Sequence, residues 1–228
     1  LLVEGGTPGV NYAWNGLALL TDIAINGPDG GAFRSRLVDG LLAAKGIALE
    51  EGSGPVRQNN RLQAWSWTEG TFSWVEPTAL CLLALKKARA AGPLAAPRLA
   101  DAEAVLRDRV CDGGGWNYGN ARVFGQDLRA YVPTTALALL SLQDRRELPA
   151  VTASLDWLVR HAADERGAMA LSLAAICSHV FGKPTEALRS LLARLEGETQ
   201  FLGNLHLAAM AYVALTLPDH RGRAFVVA

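Results

Sequence analysis

Apolar residues recur along this chain at three- and four-residue steps. Val105, Leu106 and Val110 follow that spacing, as do Leu155, Leu158 and Val159, and then Leu188, Leu191, Leu192 and Leu195. This is the period of helices that bury one stripe. Strand signals are weak, because β-branched alternation is almost absent. The pattern predicts nine helices, at about 10–26, 31–48, 76–91, 97–110, 132–143, 150–162, 168–182, 184–196 and 203–217. Pro77 and Pro133 fit first turns, where a missing N–H costs nothing. Gly92-Pro93 and Gly182-Lys183-Pro184 punctuate helix ends.

Two kinds of helix alternate. One kind is apolar nearly all round: Thr78–Leu85, Thr135–Leu142, Ala168–Ile176 and Leu205–Leu215. The other carries a charged face, near 101–109, 153–162 and 186–195. All-round apolar helices are buried and striped ones face water, so the alternation predicts an inner, buried layer and an outer one, concentric or stacked. The inner set also repeats. Glu76-Pro-Thr-Ala-Leu-Cys-Leu-Leu-Ala-Leu85 aligns with Pro133-Thr-Thr-Ala-Leu-Ala-Leu-Leu-Ser-Leu142, and six of the ten positions are identical. Looser copies surround Leu173 and Ala209, and an earlier one lies near Trp14–Leu20. Helix pairs that cannot bury a face alone must stack. Two long loops, 49–75 and 111–131, interrupt the repeat and hold four of the six Trp.

Composition narrows the function classes. Lys plus Arg equals Asp plus Glu at 22 each, so no basic surface for nucleic acid is expected. Hydrophobic residues make up 50% and charged residues 19%, which excludes a disordered chain. Cys81, Cys111 and Cys177 are too few and too scattered for a disulfide framework or a zinc site. No metal and no cofactor is expected. No apolar run reaches a membrane-spanning length of about 18 residues. The chain therefore reads as soluble, and as cytoplasmic rather than secreted. It begins at Leu1 rather than Met, which leaves open an upstream segment.

The run Asp112-Gly-Gly-Gly-Trp116, with Gly-x-Trp inside it, resembles the repeat ends of squalene–hopene and oxidosqualene cyclases. The Pro-Thr-Ala-Leu helix start is similar to the inner helices of that superfamily and of protein prenyltransferase β subunits. The resemblance covers roughly residues 60–217, with 10–48 fitting as one more pair. It implies one all-α domain over residues 1–228, an α/α toroid whose inner helices surround a cavity. Five inner and four outer helices are fewer than the family's usual set, so the chain is a piece of a longer protein or its ring is small or open. The family's chemistry does not carry over. The Asp-x-Asp-Asp acid and the Asp-Asp-x-x-Asp motif are both missing. So is the Gly-Cys-Gly-Glu-Gln of thioester domains. Where a prenyltransferase zinc site would fall, the chain reads Tyr131-Val-Pro-Thr134.

The resemblance implies a toroid domain that binds an apolar, isoprenoid or lipid-like small molecule without the standard acid. The alternative is a catalytic isoprenoid cyclase or transferase using Glu76 or Asp127 of the loops. A protein partner is a further option. Insertions in repeat folds collect on one face, which is often the binding face. The expected site therefore lies where residues 65–76 and 112–131 meet, with Glu76 and Asp127 as its acids. Trp67, Trp116, Tyr118 and Tyr131 are its expected apolar lining. Against this, Trp74 and Trp116 read first as staples that pin loops to helices, while Trp65 and Trp67 fit either role. Glu76 heads a helix, where the dipole favours the charged carboxylate and lowers its pKa. Asp112 reads as a turn former. Gly113–Gly115 is no phosphate loop, since no strand precedes it and no Lys follows.

Overall fold

A computed structural model describes residues 10–27, 30–49, 56–217 and 224–227. Among these residues the chain forms nine α-helices: α1 (Tyr12–Asn26), α2 (Ala32–Ala43), α3 (Val75–Lys87), α4 (Ala95–Asp108), α5 (Val132–Ser141), α6 (Pro149–His161), α7 (Ala168–Val180), α8 (Glu186–Thr199) and α9 (Leu205–Leu215). One two-stranded hairpin, β1 (Arg122–Val123) and β2 (Gln126–Asp127), is antiparallel with Arg122 opposite Asp127. The chain is all-α, as the periodicity predicts.

The odd-numbered helices form one layer, with α1 on α3, α3 on α5, α5 on α7 and α7 on α9. Each even-numbered helix packs on the odd one before it. Inner helices run the same way, because their ends lie together. Lys86 at the end of α3 donates to the Ser141 carbonyl at the end of α5 (3.0 Å). Arg146, just past α5, reaches the Val180 carbonyl at the end of α7 (2.7 Å). Nearly every residue of α3, α5 and α7 is buried, whereas α6 buries only Val151, Ser154 and Leu158 and α8 only Leu188 and Leu192. The contrast between all-round apolar and striped helices therefore separates the layers at the centre of the array.

At its ends the rule fails. α9 has no charged residue, yet it buries only Ala211 and Ala214, and Leu205 and Tyr212 are 84% and 49% exposed. α1 likewise leaves Trp14 and Ile25 71% and 75% exposed. All-round apolarity gives burial only where a neighbour packs on each side, and among the described residues α1 and α9 each have an inner-layer neighbour on one side only.

A second correction concerns α2, expected to continue to residue 48. It stops at Ala43, and Ala44 is extended. Arg98 of α4, only 2% exposed, donates to the Ala44 carbonyl (2.7 Å) and to the Gln63 carbonyl (2.8 Å). From there the chain pairs with the first long loop: the amides of Gly46, Ile47 and Leu49 donate to Ala64, Thr71 and Asn60. A Cβ on Gly46 would lie 2.9 Å from the Ser73 backbone nitrogen, so only glycine fits this crossing.

Candidate functional site

Both long loops enter the inner layer through the same construction. Trp65 is fully buried, and its indole N–H donates to the Leu41 carbonyl near the end of α2 (2.9 Å). Trp116 is equally buried, and its indole N–H donates to the Leu106 carbonyl near the end of α4 (2.7 Å). The backbone N–H of Trp65 donates to the Thr78 hydroxyl of α3 (3.3 Å), and that of Trp116 to the Thr135 hydroxyl of α5 (2.9 Å). Trp74 and Tyr131, the N-caps of α3 and α5, donate their amides to the carbonyls of Trp65 and Trp116. Each module ties the end of one outer helix to the start of the next inner helix. It also satisfies backbone groups that would otherwise be buried unpaired.

The glycines of the second loop serve this construction. Gly113, Gly114 and Gly115 all have positive φ, where L side chains are strained. A Cβ on Gly114 would sit 2.8 Å from the Ala153 carbonyl of α6. The Gly115 amide then donates to the Ser154 hydroxyl (2.8 Å). The run is a close backbone approach to α6 rather than an anion cradle.

These anchors leave two depressions at the loop end of the inner helices. One, of about 650 Å³, is lined by Ile47, Trp67, Gly70, Phe72, Trp74 and Tyr118. The other, of about 730 Å³, is polar and is lined by Arg57, Arg107 and Arg122 together with Asp108, Asp112 and Asp127. A smaller space of about 250 Å³, lined in part by Phe72 and Trp74, adjoins the aromatic one.

The expected site residues divide among these features. Trp67 and Tyr118 line the aromatic depression. Tyr131 stands beside it, with its ring centroid 5.5 Å from that of Tyr118 and the Arg129 guanidinium 5.5 Å above its own ring. Trp116 lines neither depression: it is fully buried and acts as a staple. Trp74, expected as the other staple, lines the aromatic depression instead, and Trp65 takes the staple role. Asp127 does not join Glu76. It is exposed on the hairpin, 3.6 Å from the Arg122 guanidinium, and faces the polar depression.

Glu76 lies in the first turn of α3. Its pKa moves opposite to the helix-dipole expectation: burial pushes the carboxyl up from its ordinary 4.5. Desolvation disfavours the charged form, in the sense opposite to the helix end. Phe72 and Ile47 were not anticipated as lining. Phe72 stands in the Gly70–Leu80 run that leads into α3, and Ile47 is on the wall because α2 ends early.

Cys81, Cys111 and Cys177 are all buried free thiols, and burial pushes the pKa of each upward. They pack as small apolar residues. Among the described residues no three His, Cys, Asp or Glu side chains converge on a metal-sized point, and no helix is long and apolar enough to cross a membrane. The chain matches no protein-family model, and comparison with characterised proteins and with solved structures finds no match.

Proposed function

We propose that this chain is a helical-repeat domain of the terpenoid-cyclase and prenyltransferase type that binds an apolar, isoprenoid- or lipid-like molecule. The observation that carries the reading is the aromatic depression of about 650 Å³ formed by Trp67, Phe72, Trp74, Tyr118 and Ile47. Its size suits a small ligand, and its wall offers π faces and aliphatic surface with few polar groups. It lies where the two insertions of the repeat meet, and it is held by the Trp65 and Trp116 modules rather than by loose loops. A binding module needs only this rim, and the chain lacks the acid motifs of the family's enzymes.

A catalytic reading rests on Glu76 alone, whose raised pKa keeps a larger fraction protonated than an exposed glutamate. Asp127 is exposed on the hairpin and faces the polar depression instead.

Tryptophan fluorescence titrated with farnesol and with oleate tests the proposal. Saturable quenching is expected, and Trp67→Ala or Phe72→Ala should weaken binding about tenfold, the equivalent of ~1.4 kcal/mol. Quenching that never saturates, or that both variants leave unchanged, refutes it. Farnesyl diphosphate turnover that Glu76→Gln abolishes without loss of binding would establish the catalytic alternative.

A further inference from the structure

The spaces at the loop end of the inner helices adjoin one another in a graded order. The small space of about 250 Å³ shares Phe72 and Trp74 with the aromatic depression, and Val56 and Gln58 with the polar one. Aromatic rings dominate the first, Asn60 and Asn120 join the lining of the second, and charged side chains edge the third. The segment between the small and polar spaces is fixed at both ends. Val56 bridges Val123 of β1, and the Arg57 amide donates to the Arg122 carbonyl (3.0 Å). The Asn59 amide donates to the Asp108 carboxylate of α4 (3.0 Å). A lining held in place before a ligand arrives loses little freedom on binding it.

Two features call for more than a plain hydrocarbon. The first is charge. Asp108 is held by the Asn59 amide and by Arg109, and Asp127 lies 3.6 Å from Arg122. Arg57, Arg107 and Asp112 remain, and among the described residues none of these three side chains has a partner. Two guanidiniums against one carboxylate leave the polar depression with surplus positive charge. Guanidiniums pair best with oxyanions such as carboxylate and phosphate. The second feature is Gln58. Its amide nitrogen bonds the side-chain oxygen of Asn60 (2.8 Å), while its own amide oxygen is buried without a partner among the described residues. Exchanging the two ends of the amide would leave the nitrogen unpaired instead. A hydroxyl both donates and accepts, so it satisfies either orientation, and a hydrocarbon satisfies neither.

We propose that the ligand is a single-chain amphiphile of the lysophosphatidate type, an assignment that rests on the apolar binding proposed above. The chain lies in the aromatic depression, a hydroxyl of the linker meets Gln58, and one acidic phosphate sits between Arg57 and Arg107. Asp112 repels a more highly charged head. The order of the three chemistries along the molecule matches the order of the three spaces.

Isothermal titration calorimetry tests each part with oleoyl lysophosphatidate, monoolein and glycerol 3-phosphate, the two lipids below their micelle concentrations. Lysophosphatidate differs from monoolein by its phosphate and should bind at least about tenfold tighter. Glycerol 3-phosphate, the head without the chain, should bind more weakly than either lipid. Combined Arg57→Ala and Arg107→Ala, both at exposed positions, should make the affinities of the two lipids equal, with circular dichroism unchanged. Gln58→Met, which keeps the length and removes the amide, should weaken both lipids. Equal affinities in the wild-type protein overturn the proposal and leave the apolar reading standing. So does a phosphate advantage that survives loss of both arginines, or binding of both lipids that Gln58→Met leaves unchanged. Glycerol 3-phosphate that binds as tightly as lysophosphatidate also overturns it, since the chain would then contribute nothing. Binding of neither lipid overturns both readings.

Discussion

The Thr78 and Thr135 hydroxyls hold the two tryptophan modules, and replacing each with valine isolates that contribution. Valine nearly matches threonine in shape, so the substitution removes a hydrogen-bonding group without opening a cavity. Thr135 and Trp116 are both fully buried, and the Trp116 N–H has the Thr135 hydroxyl as its partner at 2.9 Å. Thr135→Val leaves that N–H unpaired away from water, which costs ~1–3 kcal/mol. The Trp116 carbonyl is spared, because the Tyr131 amide (2.9 Å) and the Thr134 hydroxyl (2.6 Å) still donate to it. At the equivalent site the Trp65 N–H meets Thr78 at 3.3 Å, a weaker bond with less to lose. Thr135→Val should therefore destabilise the protein more than Thr78→Val. The two sites share no partner, so the double variant should equal their sum within about 0.5 kcal/mol. Urea denaturation followed by circular dichroism measures all three, with midpoints shifting at constant slope. In thermal melts a loss of ~2 kcal/mol corresponds to about 4–8 °C for a chain of this size. A loss below about 0.5 kcal/mol for Thr135→Val, or a larger one for Thr78→Val, refutes the assignment of these hydroxyls as clamps, since that is the range of ordinary surface substitutions.

Gly114→Ala should cost clearly more than Gly113→Ala in the same assay: both residues have positive φ, which costs alanine ~1–2 kcal/mol, but only at Gly114 does the new Cβ meet a backbone carbonyl at 2.8 Å. Equal losses would show that α6 moves aside freely. Lys86, nearly buried, pairs with Glu103 at 2.8 Å and with Asp144 at 2.5 Å. Glu103→Ala should therefore cost less than the ~3–5 kcal/mol of an uncompensated buried charge, and adding Asp144→Ala should bring the loss into that range, as read by urea denaturation. Glu76 supplies a pH test. Its pKa is raised on folding, so the native state holds its proton longer than the unfolded chain, and stability falls as pH rises from the ordinary value of 4.5 through the raised one. Glu76→Gln should be the more stable protein at neutral pH and should lose that advantage below the ordinary carboxyl value. A less stable variant at neutral pH would mean that the helix end dominates.

The inner helices were legible because their chemistry is repetitive. The same Thr-Ala-Leu run starts α3 and α5, and burial on every side leaves no room for charge at the centre of the array. Trp14 and Leu205 show where that inference stops, since apolarity records a face to be covered and not what covers it. The loops resisted for a different reason. Trp74 and Trp116 look like counterparts because each lies in a long loop that leads into a Pro-Thr helix, yet the structural pairs are Trp65 with Trp116 and Trp74 with Tyr131. Trp65 lies ten positions before the start of α3, and Trp116 sixteen positions before the start of α5. The extra length holds the β1–β2 hairpin. What makes a tryptophan a staple is a backbone carbonyl within reach of its indole N–H, here Leu41 or Leu106, and those carbonyls come from helices about ten and about twenty-four residues upstream in sequence. No local pattern encodes that distance. Asp127 was misplaced by the same length difference: it sits on the inserted hairpin, so the repeat that correctly brings Trp67 and Tyr118 to one end of the array says nothing about where its carboxylate points. Positions inside the repeat inherit their neighbours from it. Positions on an insertion take theirs from whatever the loop happens to fold against, and for Asp127 that is Arg122.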